Sequence, residues 1–489
     1  MGAGKKAGKP NIIFILIDDM GWTDIGCFGS SFYETPNIDA LARDGMLFTD
    51  AYAACPVCSP TRASLMSGKY PATVGVTDWI DHDYELHPVR ASLIDAPYIR
   101  HLPLSEKSVA SALRDGGYAT WHVGKWHLGT EEFWPTNHGF DVNIGGTERG
   151  TPGKGYFPPY GIKCFEDGPE GEYLTDRITD EAIRLIKSHD GSKPYYLNLC
   201  HFAVHEPIQV KAEDVPKYER KREAMGLDKV TEFEDGEVYP VSPEDRQLRI
   251  RRRLVQGHPG YAAMVENLDM NVGRLLEAVR ETGGEDDTIV VFTSDNGGVA
   301  NTEPLAFLNG NFWDIREMPT SNKPLSEGKG WMYEGGVREP LIIKWPSVIK
   351  PGGRCPVPVT TPDFYPTLLE AAGLPLIPEQ HVDGESILPL LKGGDSLKRD
   401  AIFWHYPHYG NQGGEPGSSV RMGDWKLIEF HDGGRLELYN LRDDIGEDND
   451  LAAEMPDKVA EMHGRLKAWR ESVGARMPER NPDWWRAKA

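Results

Sequence analysis

Two hydrophobic patterns divide the chain near residue 396. Before it, short continuous apolar runs alternate with amphipathic stretches of helical period. Lys9 to Asp18 (KPNIIFILID) is apolar on successive positions and ends in acids, the pattern of a strand buried on both faces of a parallel sheet. Further strands are predicted at Tyr118 to Gly124, Pro194 to His201, Thr288 to Thr293 and Leu341 to Trp345. Thr35 to Gly45 reads as a helix capped by Thr35, with Pro36 at its first position and Gly45 as its stop. Other helices are predicted at Glu106 to Gly116, Arg177 to His189, Tyr261 to Gly283 and Asp363 to Gly373.

Strands that alternate with helices imply parallel crossovers, so this part is predicted to be α/β: a large, mostly parallel sheet sandwiched by helices. After residue 396 the runs become short and alternating (Ala401 to His405, Val420 to Phe430 around Gly423-Asp424, Arg435 to Leu441) before a closing helix at Ala453 to Val473. They predict a smaller α+β unit with a short antiparallel sheet. The expected division is a catalytic domain over 10–395 and a C-terminal subdomain over 396–489. Within the first, Glu206 to Gly257 is highly charged and weakly periodic. It reads as a solvated insertion, and its RIRRR run at Arg249 to Arg253 as part of that insertion rather than a basic binding patch.

Open α/β sheets bind ligands at the carboxyl ends of their strands. There the chain places Asp18-Asp19, then Gly124-Lys125-Trp126-His127, then His205 beyond His201, and finally Asp295-Asn296. Asp18, Asp19, Asp295 and Asn296 offer only hard oxygen ligands, which suit Ca²⁺ or Mg²⁺ rather than zinc. Three carboxylates packed together repel one another unless a cation joins them.

Composition narrows the partners. The 489 residues carry 53 Lys and Arg against 75 Asp and Glu, a formal net charge of -22. So acidic a surface argues against a nucleic-acid partner and requires any anionic substrate to find a locally basic pocket. No apolar run approaches the ~20 residues of a membrane span. Met1 to Lys9 (MGAGKKAGK) lacks the order of a signal peptide. The compartment is therefore expected to be periplasmic or extracellular with its signal absent from this chain, or else cytoplasmic. The six cysteines are scattered, which does not suggest a disulfide framework. The Cys55/Cys58 pair has no second pair at zinc spacing.

The sharpest local motif is Cys58-Ser59-Pro60-Thr61-Arg62, continuing through Ala63 to Gly68. It resembles the type I sulfatase signature, C-x-P-S/T-R followed by a small-residue helix. Cys55 lacks the proline and arginine at those offsets. The resemblance extends through Asn11 to Gly21, Gly117 to Gly129 (the Lys-x-His segment), His205-Glu206-Pro207, Thr293 to Gly297 and the Gly-Lys-Gly loop in Leu325 to Gly336. Thr61 stands where the family more often has Ser.

That resemblance implies an alkaline-phosphatase-like fold and a sulfate-ester hydrolase. It implies a formylglycine made from Cys58 by a formylglycine-generating enzyme, and a calcium (or magnesium) ion held by Asp18, Asp19, Asp295, Asn296 and residue 58. Arg62, Lys125, His127, His205 and Lys329 are then the implied catalytic groups. Hydrated formylglycine attacks sulfur, His205 and Lys329 serve the leaving alcohol, and His127 deprotonates the second hydroxyl so that sulfate leaves.

Polar-aromatic clusters at Gly75 to Trp79, Phe403 to Tyr409 and Ser418 to Lys426 suit a sugar ring. The expected substrate is a terminal sulfated galactose- or N-acetylgalactosamine-type sugar, with Asp78, His405 and His408 as contacts. The alternatives are a phosphonate or phosphate ester hydrolase of the same superfamily, and a catalytically inactive binding homologue. Oligomeric state is not legible in the sequence.

Overall fold

The structure is a computed structural model, describing residues 8–80, 91–240, 249–301, 318–482 and 484. Most of the predicted N-terminal flexible start, residues 1–7, lies outside the described residues.

Among the described residues the main sheet has nine strands. They are β1 (Asn11–Ile17), β2 (Met46–Tyr52), β3 (Ala119–Gly124), β4 (Val142–Ile144) and β5 (Tyr195–Cys200), then β8 (Thr288–Ser294), β9 (Arg338–Lys344), β10 (Gly353–Cys355) and β11 (Val359–Thr360). The order across the sheet is β10-β2-β9-β8-β1-β5-β3-β4, and β11 also pairs with β2. Every pairing is parallel except those of β9, which runs opposite to both β2 and β8.

The continuous apolar run of β1 follows from its central place. Ile13, Ile15 and Ile17 point to one face, where they join the core beneath helices α1 (Pro36–Asp44), α4 (Leu174–Ser188) and α6 (Pro259–Glu281). Ile12, Phe14 and Leu16 point to the other, against α2 (Cys58–Ser67), α3 (Val109–Asp115) and α7 (Phe364–Ala371). Each such side chain contributes about 1.5–3 kcal/mol by leaving water.

The register delivers the polar strand ends together. Ile17 lies level with Ser294, so Asp18-Asp19 and Asp295-Asn296 leave the sheet side by side. Cys200 lies level with both Leu16 and Gly124, which brings Lys125 to the same edge. Because β9 runs backwards, it begins at that edge, and the loop preceding it carries Lys329 to the same place.

The charged stretch at 206–257 holds a helix, α5 (Val215–Ala224), and a hairpin of β6 (Phe233–Val238) with β7 (Arg249–Arg253). Tyr218, Ile250 and Arg253 within it are buried. Ile250 packs with Trp331 and Tyr409, so the hairpin bridges the Lys329 loop and the C-terminal part.

There, β12 (Ile402–Tyr406), β13 (Gly417–Met422), β14 (Trp425–Phe430) and β15 (Leu436–Asn440) form an antiparallel sheet in that order. One face takes Met462, Leu466 and Trp469 of α8 (Pro456–Ser472). The other, through Trp404, Tyr406 and Ile428, packs on Tyr52, Met332 and Val337 of the main domain. No helix among the described residues is long and apolar enough to cross a membrane.

Candidate active site

The four strand ends and the first turn of α2 enclose one buried polar site. Cys58 is the first residue of α2, whose amino end presents its partial positive charge there. Gly68 ends the helix at a φ of 69°, and its own Cβ would meet His381 Cβ at 2.5 Å, so only glycine fits. Thr61 keeps the hydroxyl of the commoner serine, which donates to the Cys55 carbonyl (3.0 Å) and accepts the Cys55 N–H (3.2 Å).

Cys58 Sγ lies 3.3 Å from His127 Nδ1. The other ring nitrogen, Nε2, is 2.9 Å from the Ile80 carbonyl. A carbonyl only accepts, so Nε2 carries the hydrogen and, in the neutral ring, the Nδ1 lone pair faces residue 58. Ser59 locks this arrangement, donating to the His127 carbonyl and accepting the Ile80 N–H, both at 3.0 Å. Sequence reasoning passed over Ser59 because it occupies the variable position of the motif.

Cations and carboxylates interlock behind the cysteine. Lys125 Nζ donates to both oxygens of Asp18 at 2.8 and 2.7 Å. Lys329 Nζ sits 2.8 and 2.9 Å from the two oxygens of Asp19. Arg62 donates twice to Asp295 Oδ2. His205 Nε2 lies 3.6 Å from Asp19, while its Nδ1 donates to the Glu206 carbonyl at 2.8 Å. Backbone strain collects here: Asp19 and His127 hold φ values of 60° and 59°. Gly124 must lack a side chain, because a Cβ there would lie 1.9 Å from the Cys200 carbonyl.

Burial raises Asp18 well above the usual carboxylate range, against the pull of Lys125. Burial opposes ionisation of Asp19 too, but Lys329, His205 and Lys125 hold it below that range. Burial drives His205 far below an ordinary imidazole, outweighing Asp19. It likewise pushes the Cys58 thiol up, despite Lys125 and Lys329, so an unmodified Cys58 is a poor thiolate.

Asp18, Asp19 and Asp295 are buried, with ligand oxygens all within 4.8 Å of one another. Asn296 Nδ2 donates to Asp19 at 2.8 Å, yet its buried Oδ1 has no hydrogen-bond partner. An orphaned amide oxygen beside three carboxylates is a donor set that fits a hard divalent cation.

The three sugar-contact expectations fare differently from this cluster. His405 is corrected: it is buried in the small sheet, with Nδ1 on Ser418 Oγ (2.8 Å) and Nε2 on the Arg476 carbonyl (2.9 Å), leaving no ring nitrogen for a sugar. Asp78 and His408 are also fully buried. Asp78 Oδ2 lies 3.8 Å from His408 Nδ1, and Asp78 accepts from Tyr406 OH and Trp79 N–H.

A buried cluster of oxygen donors at the end of an α/β sheet, beside a cysteine that begins a helix, fits a hydrolase of anionic esters. The sulfatase family profile matches residues 10–374, and a profile described as N-sulphoglucosamine sulphohydrolase, C-terminal, matches 327–472. The chain belongs to the sulfatase family, hydrolases of sulfate esters.

It is 31% identical to a sulfatase of Formosa agariphila, covering 94% of this chain and 88% of that one. Human N-acetylgalactosamine-6-sulfatase is 29% identical, over 83% of this chain and 70% of its own. Among solved structures, Ps i-CgsB in complex with k-i-k-neocarrahexaose superposes with a TM-score of 0.71 at 30% identity, covering 94% of this chain and 92% of that one.

Proposed function

We propose that this chain is a carbohydrate sulfatase that cleaves a sulfate monoester with a formylglycine derived from Cys58 and a bound calcium ion. The observation that carries it is residue 58 itself, 3.3 Å from a His127 nitrogen whose ring is fixed by the Ile80 carbonyl.

Asp18, Asp19, Asp295 and Asn296 would hold the cation, with residue 58 completing the set, and the ion would stabilise negative charge on the sulfate and its attacking oxygen. Hydrated formylglycine would supply two hydroxyls on one carbon, one to attack sulfur and one through which sulfate is expelled. A formylglycine-generating enzyme is the partner that this modification requires.

The chain's own groups do the rest. Arg62, Lys125 and Lys329 balance the three carboxylates, so a divalent ion leaves the niche positive, as an anionic ester requires. Lys329 and His205 both reach Asp19. Lys329 serves the leaving oxygen with its proton, and His205, whose ring hydrogen sits on Nδ1, does so from Nε2 once its ring is protonated. His127 accepts the proton of the second hydroxyl at Nδ1. The near-complete burial of these side chains excludes bulk water, which strengthens each charge interaction.

The names of the relatives support a sugar substrate: one acts on an N-acetylgalactosamine sulfate and another binds a neocarrahexaose. A galactose- or N-acetylgalactosamine-type residue at a chain end is the substrate we favour, with the protein working in the periplasm or outside the cell. The test is sulfate release from defined sulfated mono- and disaccharides by protein co-produced with a formylglycine-generating enzyme, with C58A as control and phosphonate and phosphate esters in parallel. Sugar desulfation lost in C58A bears the reading out. Turnover of the phosphorus esters alone would replace it with the superfamily alternative.

A further inference from the structure

The loop that carries Lys329 is fixed at several points. Its Lys329 N–H donates to the Gly298 carbonyl at 3.1 Å, and the Gly330 N–H to the Pro56 carbonyl at 2.9 Å. Internally it is folded too tightly for side chains. A Cβ on Gly336 would lie 2.1 Å from the Trp331 carbonyl, and one on Gly335 2.3 Å from that of Ser326. A loop so compact has little internal freedom, so a shift at its far end is passed on to Lys329.

That end is the single helical turn Glu334–Val337, and the C-terminal unit grips it with buried charge. Glu334 Oε1 accepts from Lys426 Nζ at 2.9 Å, and Oε2 accepts from Arg338 Nε at 2.6 Å and Tyr52 OH at 2.8 Å. Lys426, on β14, also pairs with Glu447 at 2.9 Å, and Glu447 Oε2 accepts the backbone N–H of Glu334 at 2.7 Å. Lys426 and Glu334 are wholly buried. A buried ion network is a poor source of stability compared with apolar packing, and its attested use is to specify one geometry. Here the geometry specified is that of the loop bearing Lys329.

We propose that Lys426 and Glu447 are positioning residues for the sulfatase reaction: acting through Glu334, they hold Lys329 at Asp19, which makes the C-terminal sheet part of the catalytic apparatus. This rests on the leaving-oxygen role given to Lys329 above. A displaced Lys329 harms only those substrates whose leaving oxygen needs a proton. A sugar alkoxide does, whereas nitrocatecholate departs unaided.

The test uses the modified full-length enzyme and the variants K426M/E447Q, K426R, E447Q and K329A. The double variant removes one charge of each sign and leaves Glu334 paired with Arg338 and Tyr52. For each, kcat and KM are measured on a sulfated monosaccharide and on 4-nitrocatechol sulfate, together with Tm. The double variant is expected to lose at least about tenfold more kcat on the sugar than on the aryl ester, with KM little changed and K426R recovering part of the loss. Should the double variant not fold, E447Q carries the test, with a smaller loss in the same direction. Equal losses on both substrates, or none on either, overturn the proposal. If K329A shows no preference for the good leaving group, the role of Lys329 fails and the proposal with it. If K329A shows it and the Lys426 variants do not, the positioning role alone fails.

Discussion

Arg62 and Asp295 meet in a fork: Nε and Nη2 of the guanidinium both donate to Oδ2 of the carboxylate, at 2.9 and 2.6 Å. The third nitrogen, Nη1, donates to the Lys125 carbonyl at 3.1 Å. One side chain therefore ties the signature helix to the ends of β8 and β3. Lysine gathers its three donors on a single nitrogen and cannot spread them as the planar guanidinium does across these two partners. R62K is expected to cost about 3–5 kcal/mol of the buried pair, seen as a lower Tm and at least about a hundredfold loss of kcat/KM. A variant with wild-type Tm and rate would remove Arg62 from the site.

The orphaned Asn296 oxygen predicts a cation effect that needs no turnover. Calcium added to chelator-treated protein is expected to raise Tm with a saturable, concentration-dependent shift. D295N and N296A are expected to weaken or abolish the shift in the same titration. No shift with calcium or magnesium in the unmutated chain would exclude the donor set proposed above.

His127 acts through Nδ1 and is held by a carbonyl on Nε2. H127A is therefore expected to fold and to bind the cation, with kcat reduced by about 10²–10⁴-fold. Activity on 4-nitrocatechol sulfate should fall as steeply as on the sugar, because this proton does not belong to the leaving group. Thermal unfolding and steady-state rates on both substrates check it.

For His405 the expectation is opposite. H405A leaves Ser418 Oγ and the Arg476 carbonyl without their ring partner, which costs about 1–3 kcal/mol. Tm should fall while KM for the sugar stays within error. A raised KM at unchanged Tm would restore His405 to the substrate site.

Asp24 gives a pH test on a carboxyl outside the proposed cation ligands. Burial raises its carboxyl to about 6, against hydrogen bonds from Thr320, Tyr261, Gly21 and Gln256. The folded chain thus binds a proton that the unfolded chain, with the ordinary value of 3.8, has released. The contribution is fully present below pH 3.8 and is lost as pH rises through 6. The change amounts to about 3 kcal/mol. D24N has no proton to bind, so its Tm, relative to wild type, should rise across that window. Parallel Tm curves for the two would refute the assignment.

The strand ends were legible because a strand buried on both faces leaves an unbroken apolar run, and whatever interrupts that run lies at the sheet edge. Asp18, Lys125 and Asp295 were found in this way. β2 escaped the same reading because Thr49-Asp50 interrupts it. Asp50 is tolerated there because Arg338 of the neighbouring β9 and Arg421 of the C-terminal sheet pair with it, a compensation invisible in the local pattern. The hairpin in the charged stretch was hidden likewise, since Arg253 is buried with the Met318 carbonyl and Glu232 as partners. His405 misled because a histidine among aromatics looks the same in sequence whether it faces a ligand or a neighbouring strand.

The main sheet tapers at its margins: three-residue β4 on one side, and three-residue β10 with two-residue β11 on the other, while seven-residue β1, β8 and β9 lie inside. The long rows of backbone donors and acceptors are thereby kept from contact with other chains, and the exposed margins are too short to template association. Loss of a margin strand would change this at once. Stripping β10 and β11 uncovers β2 along its length, a ready partner for a second molecule. Storage and expression losses of this protein should accordingly follow fraying at residues 353–360 and precede global unfolding.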